Sequence, residues 1–512
     1  MKTTMKNPFI LPALIAALGL MVAGQAAAQT FTTLHSFTVM NPGSDGTNGD
    51  GANPSGLIIA GHILCGTANN GGSGSNSTVW AFNTDDTNFT TLHSFTATSV
   101  PWSEGGTNSD GAEPSAGLIL SGGTLYGMAS YGGSFGGAGT VFAVNTESAG
   151  FTNVHNFTGG GGGAFPVGTL LVSGVTLFGT TELGGSSDVG MVFVVNTDGT
   201  DFTNLHNFPQ DSGTLATNSD GFYPQGGLVL SGHRLYGAAS DGGSAGNGTV
   251  WAVNTDGTGF TNLHNFTAVS GPLGTNSDGQ YPNGGLILSG NTLYGTAYYG
   301  GSTGGNGTVF KLNTDGTGFT TLHSFSPGTA NPHGTPTSSD GGLPFAGLIL
   351  SGNTLYGTAF FGGSSGNGVV FKVNTDGSGF TTLYNFSAFI LDSSLGVYTN
   401  SDGGNPGCPL ILSGNTLYGT AEMGGTWGNG TVFSLTLPAP QLTLTTAGAN
   451  VILTWPTNYA GFDDSGYTLQ STTNLESPTI WSTVSPTPAV VNGQFTVTNL
   501  VSGTEQVFRL SQ

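Results

Sequence analysis

Positive charge is almost missing from this chain. Lys2, Lys6, Arg234, Lys311, Lys372 and Arg509 are its 6 basic residues, against 27 acidic ones in 512. Such a surface repels phosphate backbones and anionic headgroups and has no cations from which to build a basic groove, so nucleic acid and acidic membranes are poor partners. Cysteine is nearly as scarce. Cys65 and Cys408 are the only 2, too few for a disulfide framework. They read as small buried hydrophobes, with a bridge between them as the alternative. Long apolar runs are confined to the first residues. Lys2 and Lys6 precede an apolar stretch from Phe9 to Ala23, interrupted by Pro12 and followed by Ala26-Ala27-Ala28. That order reads as a secretory signal peptide over 1–28, short for a membrane span, with a retained anchor as the alternative. The expectation is bacterial export to the medium, cell surface or periplasm, as a monomer with no membrane span in the mature chain.

Glycine is what the chain has in excess, at 91 residues, together with 10% aromatics and 36% hydrophobics. This is not the disordered pattern of low hydrophobicity and high charge. Gly285 to Phe325 reads GLILSGNTLYGTAYYGGSTGGNGTVFKLNTDGTGFTTLHSF and recurs from end to end. A fixed period decides the architecture. Within the unit GLILS, TLYGTA, GTVFKLN and FTTLHSF are strand-like runs separated by Ser-Gly-Asn, glycine-rich and Asn-Thr-Asp-Gly turns, giving four antiparallel strands.

The second strand's aromatic position falls at Cys65, Tyr126, Phe178, Tyr236, Tyr294, Tyr356 and Tyr418. The fourth strand's leading Phe falls at Phe31, Phe89, Phe151, Phe202, Phe260, Phe319 and Phe380, so one copy precedes everything else and none follows Phe433. The orphan strand should complete the last sheet and close a ring. The expected fold is therefore all-β, a seven-bladed β-propeller over 29–436 closed by the N-terminal strand. Blade one should run from Gly56 to Phe95, two from Gly117 to Phe157, three from Gly168 to Phe208, and seven should combine Cys408–Leu435 with Phe31–Phe37. A linear solenoid fits poorly at a period of about 60 residues. A linker follows at 437–440, and strand-spaced alternation over 441–512 predicts a small immunoglobulin- or fibronectin III-like β-sandwich.

The repeat grammar LILSGxTLYGTxxxGGxxGxGTVFxxNTDGxxFTxLHxF resembles the Gloeo-Verruco tandem repeat family of secreted bacterial proteins over most of Phe31 to Leu435. LTW at 453–455, YTLQSTTNL at 467–475 and FRL at 508–510 look like a C-terminal module that accompanies such repeats. The resemblance implies export and a propeller-like array, and carries no catalytic residues. Departures are Cys65 for the aromatic, Tyr384 for the fourth-strand His, and a missing Asp-Gly in copy three.

Six copies begin with Asp-Gly and then Pro, at Asp50, Asp110, Asp220, Asp278, Asp340 and Asp402. These carboxylates would offer hard oxygen ligands to Ca²⁺ on one face. The competing reading is an Asx-type turn ahead of the first strand, with no cofactor. Asp85, Asp198, Asp256, Asp315 and Asp376 sit in hairpin turns that resemble Asp boxes and read as structural. Arginine is too rare for sialidase chemistry. His35, His93, His155, His206, His264 and His323 share one fourth-strand position, which argues for a hydrogen bond tying each outer strand to its neighbour.

The variable residues follow the second strands: Asn69-Asn70, Ser130-Tyr131, Glu182-Leu183, Ser240-Asp241, Tyr298-Tyr299, Phe360-Phe361 and Glu422-Met423. In a propeller these loops share a face, so Tyr131, Glu182, Asp241, Tyr298, Tyr299, Phe360, Phe361 and Glu422 should converge at the channel mouth. Aromatic planes and acidic acceptors suit a neutral glycan; packing between blades is the other reading. The functional expectation is a non-catalytic exported protein binding glycan or protein there. The rivals are a polysaccharide-acting hydrolase or lyase using Glu182, Asp241 and Glu422, which for glycoside hydrolysis requires two carboxyls roughly 5–10 Å apart, and an architectural envelope component.

Overall fold

The second strand of each copy carries a glycine where a sheet normally favours a side chain, because the third strand's aromatic ring lies across it. Gly127 pairs with Phe142 and Gly357 with Phe371, and a methyl group on either glycine would fall 2.5 or 2.6 Å from the ring. Close approach to a neighbouring group is what places glycine inside a strand. The ring is then fully buried, as are Trp80, Phe142, Phe193, Trp251 and Phe310.

The computed structural model describes residues 29–511 apart from 42–45, 102–104, 116, 147–149, 211–215, 331–335, 439, 448–449, 460–461, 464–466, 474–480 and 501–505. The expected signal peptide lies outside the described residues. Among them there is no α-helix, and no helix long and apolar enough to cross a membrane. The repeats form seven four-stranded antiparallel sheets. Sheet one comprises Ala52–Ala60, Ile63–Asn70, Thr78–Asn83 and Thr90–Ser94, in sequence order. Sheets two to six repeat that order, and the third and fourth strands of one to six shift register by a bulge, as between Val250 and Trp251. Sheet seven breaks it. Ile411–Ser413, Thr416–Ala421 and Thr431–Thr436 are completed by Thr30–Ser36, the first strand of the chain. Phe37 N–H donates to the Gly430 carbonyl at 3.1 Å, and Leu34 and Phe37 share a buried cluster with Trp80 and Val432.

Residues Phe31–Leu435 form one compact unit and Thr436–Gln512 belong to a second. In the latter, a four-stranded sheet and a three-stranded one contribute Leu453, Trp455, Leu469 and Val497 to one buried cluster. The whole described chain is thus all-β with many four-stranded antiparallel sheets, as its sequence implies.

What joins consecutive sheets is a device only half visible in the sequence. Each fourth-strand His stacks on the leading Phe of the next sheet's fourth strand: His93 on Phe151 at 3.8 Å, His206 on Phe260 at 3.7 Å, His323 on Phe380 at 3.6 Å. The succession returns to its start, since Tyr384 stacks on Phe31 at 3.9 Å. The same His meets the Asp that precedes the next sheet. His93 Nε2 is 2.9 Å from Asp110 Oδ2, which also accepts the Thr96 N–H at 3.0 Å, while the Thr96 hydroxyl donates to Oδ1. His35–Asp50, His264–Asp278 and His323–Asp340 repeat the bond at 3.0–3.1 Å. His206 reaches Asp220 at 3.1 Å but at a poor angle, and the Tyr384 hydroxyl donates to Asp402 at 2.8 Å. Burial alone would raise the Asp110 carboxyl, but the His93 and Thr96 hydrogen bonds outweigh it and hold it below the usual range.

Copy three lacks the Asp, so His155 keeps its stack on Phe202 at 3.9 Å while burial pushes its pKa down to about 4. An imidazole harder to protonate when folded than when unfolded weakens the fold as pH drops from about 6.5 toward 4. We therefore expect His155→Leu to be nearly neutral at pH 7 and to gain up to about 2 kcal/mol at pH 5. His264→Leu strands the Asp278 carboxylate and should cost about 1–3 kcal/mol at pH 7. Urea melts at both pH values separate them; equal destabilisation of the two variants would show that the histidines act by stacking alone.

Candidate functional site

The residue before the proline that leads into each first strand adopts a left-handed backbone in all seven copies. Asn53, Glu113, Phe165, Tyr223, Tyr281, Leu343 and Asn405 have φ between 51° and 57°. Non-glycine residues rarely go there, and a following proline restricts the backbone further, so the surroundings must hold them. They do so through the main chain. Tyr281 N–H donates to Asn247 O of the preceding copy at 3.0 Å, and Tyr281 O accepts the Tyr298 N–H of its own second-strand exit at 3.0 Å. Leu343 repeats the pattern with Asn306 O and Phe360 N–H, and Asn405 with Asn367 O and Glu422 N–H. Each stitch binds two neighbouring copies and sets the pre-proline side chain beside the residues that follow the second strand.

The predicted variable residues are thereby brought together, with partners that the sequence reading omitted. Tyr131 packs on Phe165 at 4.9 Å, and the charges of Glu113 and Glu182 add to the burial that raises its hydroxyl. Glu182 Oε1 accepts from Gln225 Nε2 at 3.3 Å; burial, aided by Asp241, raises its carboxyl. Asp241 accepts from the Ser240 hydroxyl at 2.6 Å and, raised by burial, lies near Tyr281. Tyr281 meets Tyr299 at 6.0 Å, Tyr299 meets Tyr298 at 4.5 Å, and Tyr298 meets Phe345 at 5.8 Å. Burial first, then Tyr299 and Glu422, raise Tyr298 to about 12. Glu422 and Phe360 both crowd Gly407, where any added side chain would collide with the Glu422 carboxyl. Burial alone brings the Glu113 and Glu422 carboxyls up to about 7. Phe361 is set differently. It stacks edge-on with Phe360 at 4.9 Å but pairs with Gly342 in a short three-stranded sheet of the leading loop.

Of these, Glu182, Gln225, Phe345 and Gly407 line a cavity of about 430 Å³ to which every copy contributes, and the others lie against them. Ser55, Ser115, Val167, Gln225, Asn283, Phe345 and Gly407 all stand one place after the leading proline. Asn283 Oδ1 is buried there without a hydrogen-bond partner. The volume lies within the range of about 300–1,000 Å³ of small-molecule pockets. Cys408 also lines the cavity and, like Cys65, is a free thiol.

The six Asp residues weighed as Ca²⁺ ligands lie elsewhere, one in each copy but the third, each engaged by the clamp just described. Among the described residues no three His, Cys, Asp or Glu side chains group as a metal site. The Asx turn expected there is made by the Asn two places earlier, as Asn108 Oδ1 accepts from Gly111 N–H at 2.9 Å. The hairpin aspartates behave as read: Thr258 N–H and hydroxyl donate to Asp256 Oδ1 at 2.9 and 2.6 Å.

No curated protein matches this chain. Among solved structures it aligns with the oligogalacturonate lyase of Vibrio parahaemolyticus at 11% identity and a TM-score of 0.45, over 80% of this chain and 93% of that one. A nidogen/laminin complex aligns at 14% and 0.36 over 63% and 92%, and TolB of Acinetobacter baumannii at 14% and 0.32 over 59% and 58%. The sequence itself matches one family model in two overlapping stretches, 99–271 and 214–388, which together span more than half of the 512 residues. The chain belongs to the Gloeobacter/Verrucomicrobia repeat family.

Proposed function

We propose that this is an exported, non-catalytic binding protein: a seven-bladed β-propeller closed by its first strand, with an immunoglobulin- or fibronectin III-like sandwich at 441–512 as spacer or attachment module. Its variable face takes a glycan or a protein, with no metal required. The observation that carries this reading is the rim. Identical backbone positions in successive copies present unlike side chains, and those side chains meet around one cavity. Tyrosine and phenylalanine faces stack on sugar rings, and carboxyls that titrate near neutrality accept from or donate to hydroxyls. The same carboxyls favour the rival reading, since Glu113 and Glu422 at about 7 are in the range of general acids.

Incubating residues 29–512 with a panel of polysaccharides, with and without chelator, separates the readings. Retention without product, unchanged by chelator, is expected. Product release would replace the binding reading with the enzymatic one, and chelator-sensitive retention would return the Asp-Gly loops to the site.

A further inference from the structure

Between copies three and six the wall of the cavity is closed by main-chain contact between neighbouring copies. A methyl group added at Gly168 would fall 2.7 Å from the Gln225 carbonyl oxygen, one at Gly226 2.8 Å from that of Gly284, and one at Gly347 2.9 Å from that of Gly285. The segments that lead into consecutive first strands therefore touch backbone to backbone there, and glycine is what allows them to. The lining above this seam changes character around the circle. Val167 and Phe345 are apolar, whereas Ser115, Gln225 and Asn283 carry neutral hydrogen-bonding groups and Ser55 is buried against Thr67 and the Pro114 carbonyl. Glu182 is the one acid in the lining, already held by Gln225. Around the rim, Tyr281, Tyr298 and Phe360 give an aromatic arc on copies five and six, Tyr131 and Phe165 a second on copies two and three, and Asn53, Asn405 and Glu422 a polar arc on copies seven and one.

A polymer lying across such a mouth meets the rim along copies three to six, where no slot admits its middle. A terminus can enter, place one ring face against an aromatic arc, and direct its hydroxyls to the amides and Ser115 below. From this geometry we infer that the cavity receives the end of a neutral oligosaccharide chain, end-on, and that internal sugar residues of a polymer are bound by the rim alone. The inference rests on the proposed glycan-binding reading and narrows it to chain termini.

The test uses calorimetric titration of residues 29–512 with four linear probes, maltohexaose, cellohexaose, laminarihexaose and chitohexaose, and with cyclomaltohexaose, which has the same sugar as the first but no ends. Ser115→Trp serves as a plug. Ser115 is exposed and lines the cavity, so the indole fills space without entering a packed core. Its fold is checked by circular dichroism and by the melting temperature. We expect at least one linear hexaose to bind, its affinity to fall tenfold or more in Ser115→Trp, cyclomaltohexaose to be at least tenfold weaker than a bound maltohexaose, and long polymer of the bound linkage to compete in proportion to its chain ends. Hexaose binding that survives the plug overturns the inference, as does competition in proportion to polymer mass or the absence of binding by all four hexaoses. Polymer retention that persists in those cases leaves the binding reading standing, whereas product release removes the binding reading itself.

Discussion

A chain that begins at Thr38 is expected to lose its cooperative unfolding transition and to aggregate, although it lacks only one strand of seven sheets. Thr30–Ser36 supplies the outer strand of sheet seven. Phe37 and Leu34 are buried beside Trp80 and Val432, and Phe31 stacks between Tyr384 at 3.9 Å and Phe433 at 5.2 Å. Truncating a buried Phe typically costs about 3–5 kcal/mol and a buried Leu about 2–5. Together these reach the lower end of the 5–15 kcal/mol that holds a typical domain folded. The deletion also strips Thr431–Thr436 of one of its two partners and exposes a sheet edge, which recruits other chains. Thermal melts and size-exclusion profiles of 38–512 against 29–512 give the result, and a synthetic peptide spanning 29–38 should partly restore the transition in trans. A truncated chain that melts within a few degrees of the longer one would show that the seven sheets do not depend on this closure.

Glu422→Gln should strengthen the fold while weakening the site. The Glu422 carboxyl is brought from its ordinary 4.5 to about 7 by burial. The folded chain therefore holds a proton that the unfolded chain releases between those values, so stability falls as pH rises through that window and stays low above it. At about 1.36 kcal/mol per pKa unit, the ionised carboxylate costs up to about 3 kcal/mol at pH 8. The amide carries no such charge. Urea melts should show E422Q more stable than the parent at pH 8 by up to that amount, converging as pH approaches 4.5. Retention of whichever polysaccharide the parent binds should drop about tenfold. A substitution that stabilises and disables together identifies a group kept for use rather than for folding. If E422Q proves less stable at pH 8, the carboxyl is a packing element and the reading of the rim loses one of its acids.

Much of the fold was legible because the repeat states it locally. Turn residues bound each strand, the displaced Phe31 strand has its complementary gap after Phe433, and the Asp256-type turns are complete within three residues. The clamp was legible only in halves. Histidine reads as a tie between strands and Asp110 as part of a turn or a metal site, while their bond spans 17 positions and two sheets. The clue lay in the exceptions, since copy three lacks the Asp and its His155 has no carboxylate to meet, and Tyr384 replaces His opposite Asp402. At the site, the second-strand exits were found from their variability. Glu113, Phe165, Tyr223 and Tyr281 were passed over, because their left-handed backbone leaves no trace in residue type; only the proline that follows marks it.

That backbone has an evolutionary consequence. The main-chain part of the stitch uses the N–H and C=O of the pre-proline residue, to which Asn53 and Asn405 add side-chain bonds to the Glu422 and Phe360 carbonyls at 2.9 and 3.0 Å, so exchange among non-glycine residues leaves the main-chain bonds in place. The other pre-proline positions can change one copy at a time without loss of a main-chain bond. Recognition can thus drift one copy at a time, as in a combination lock whose wheels turn separately, while the case that holds them stays shut.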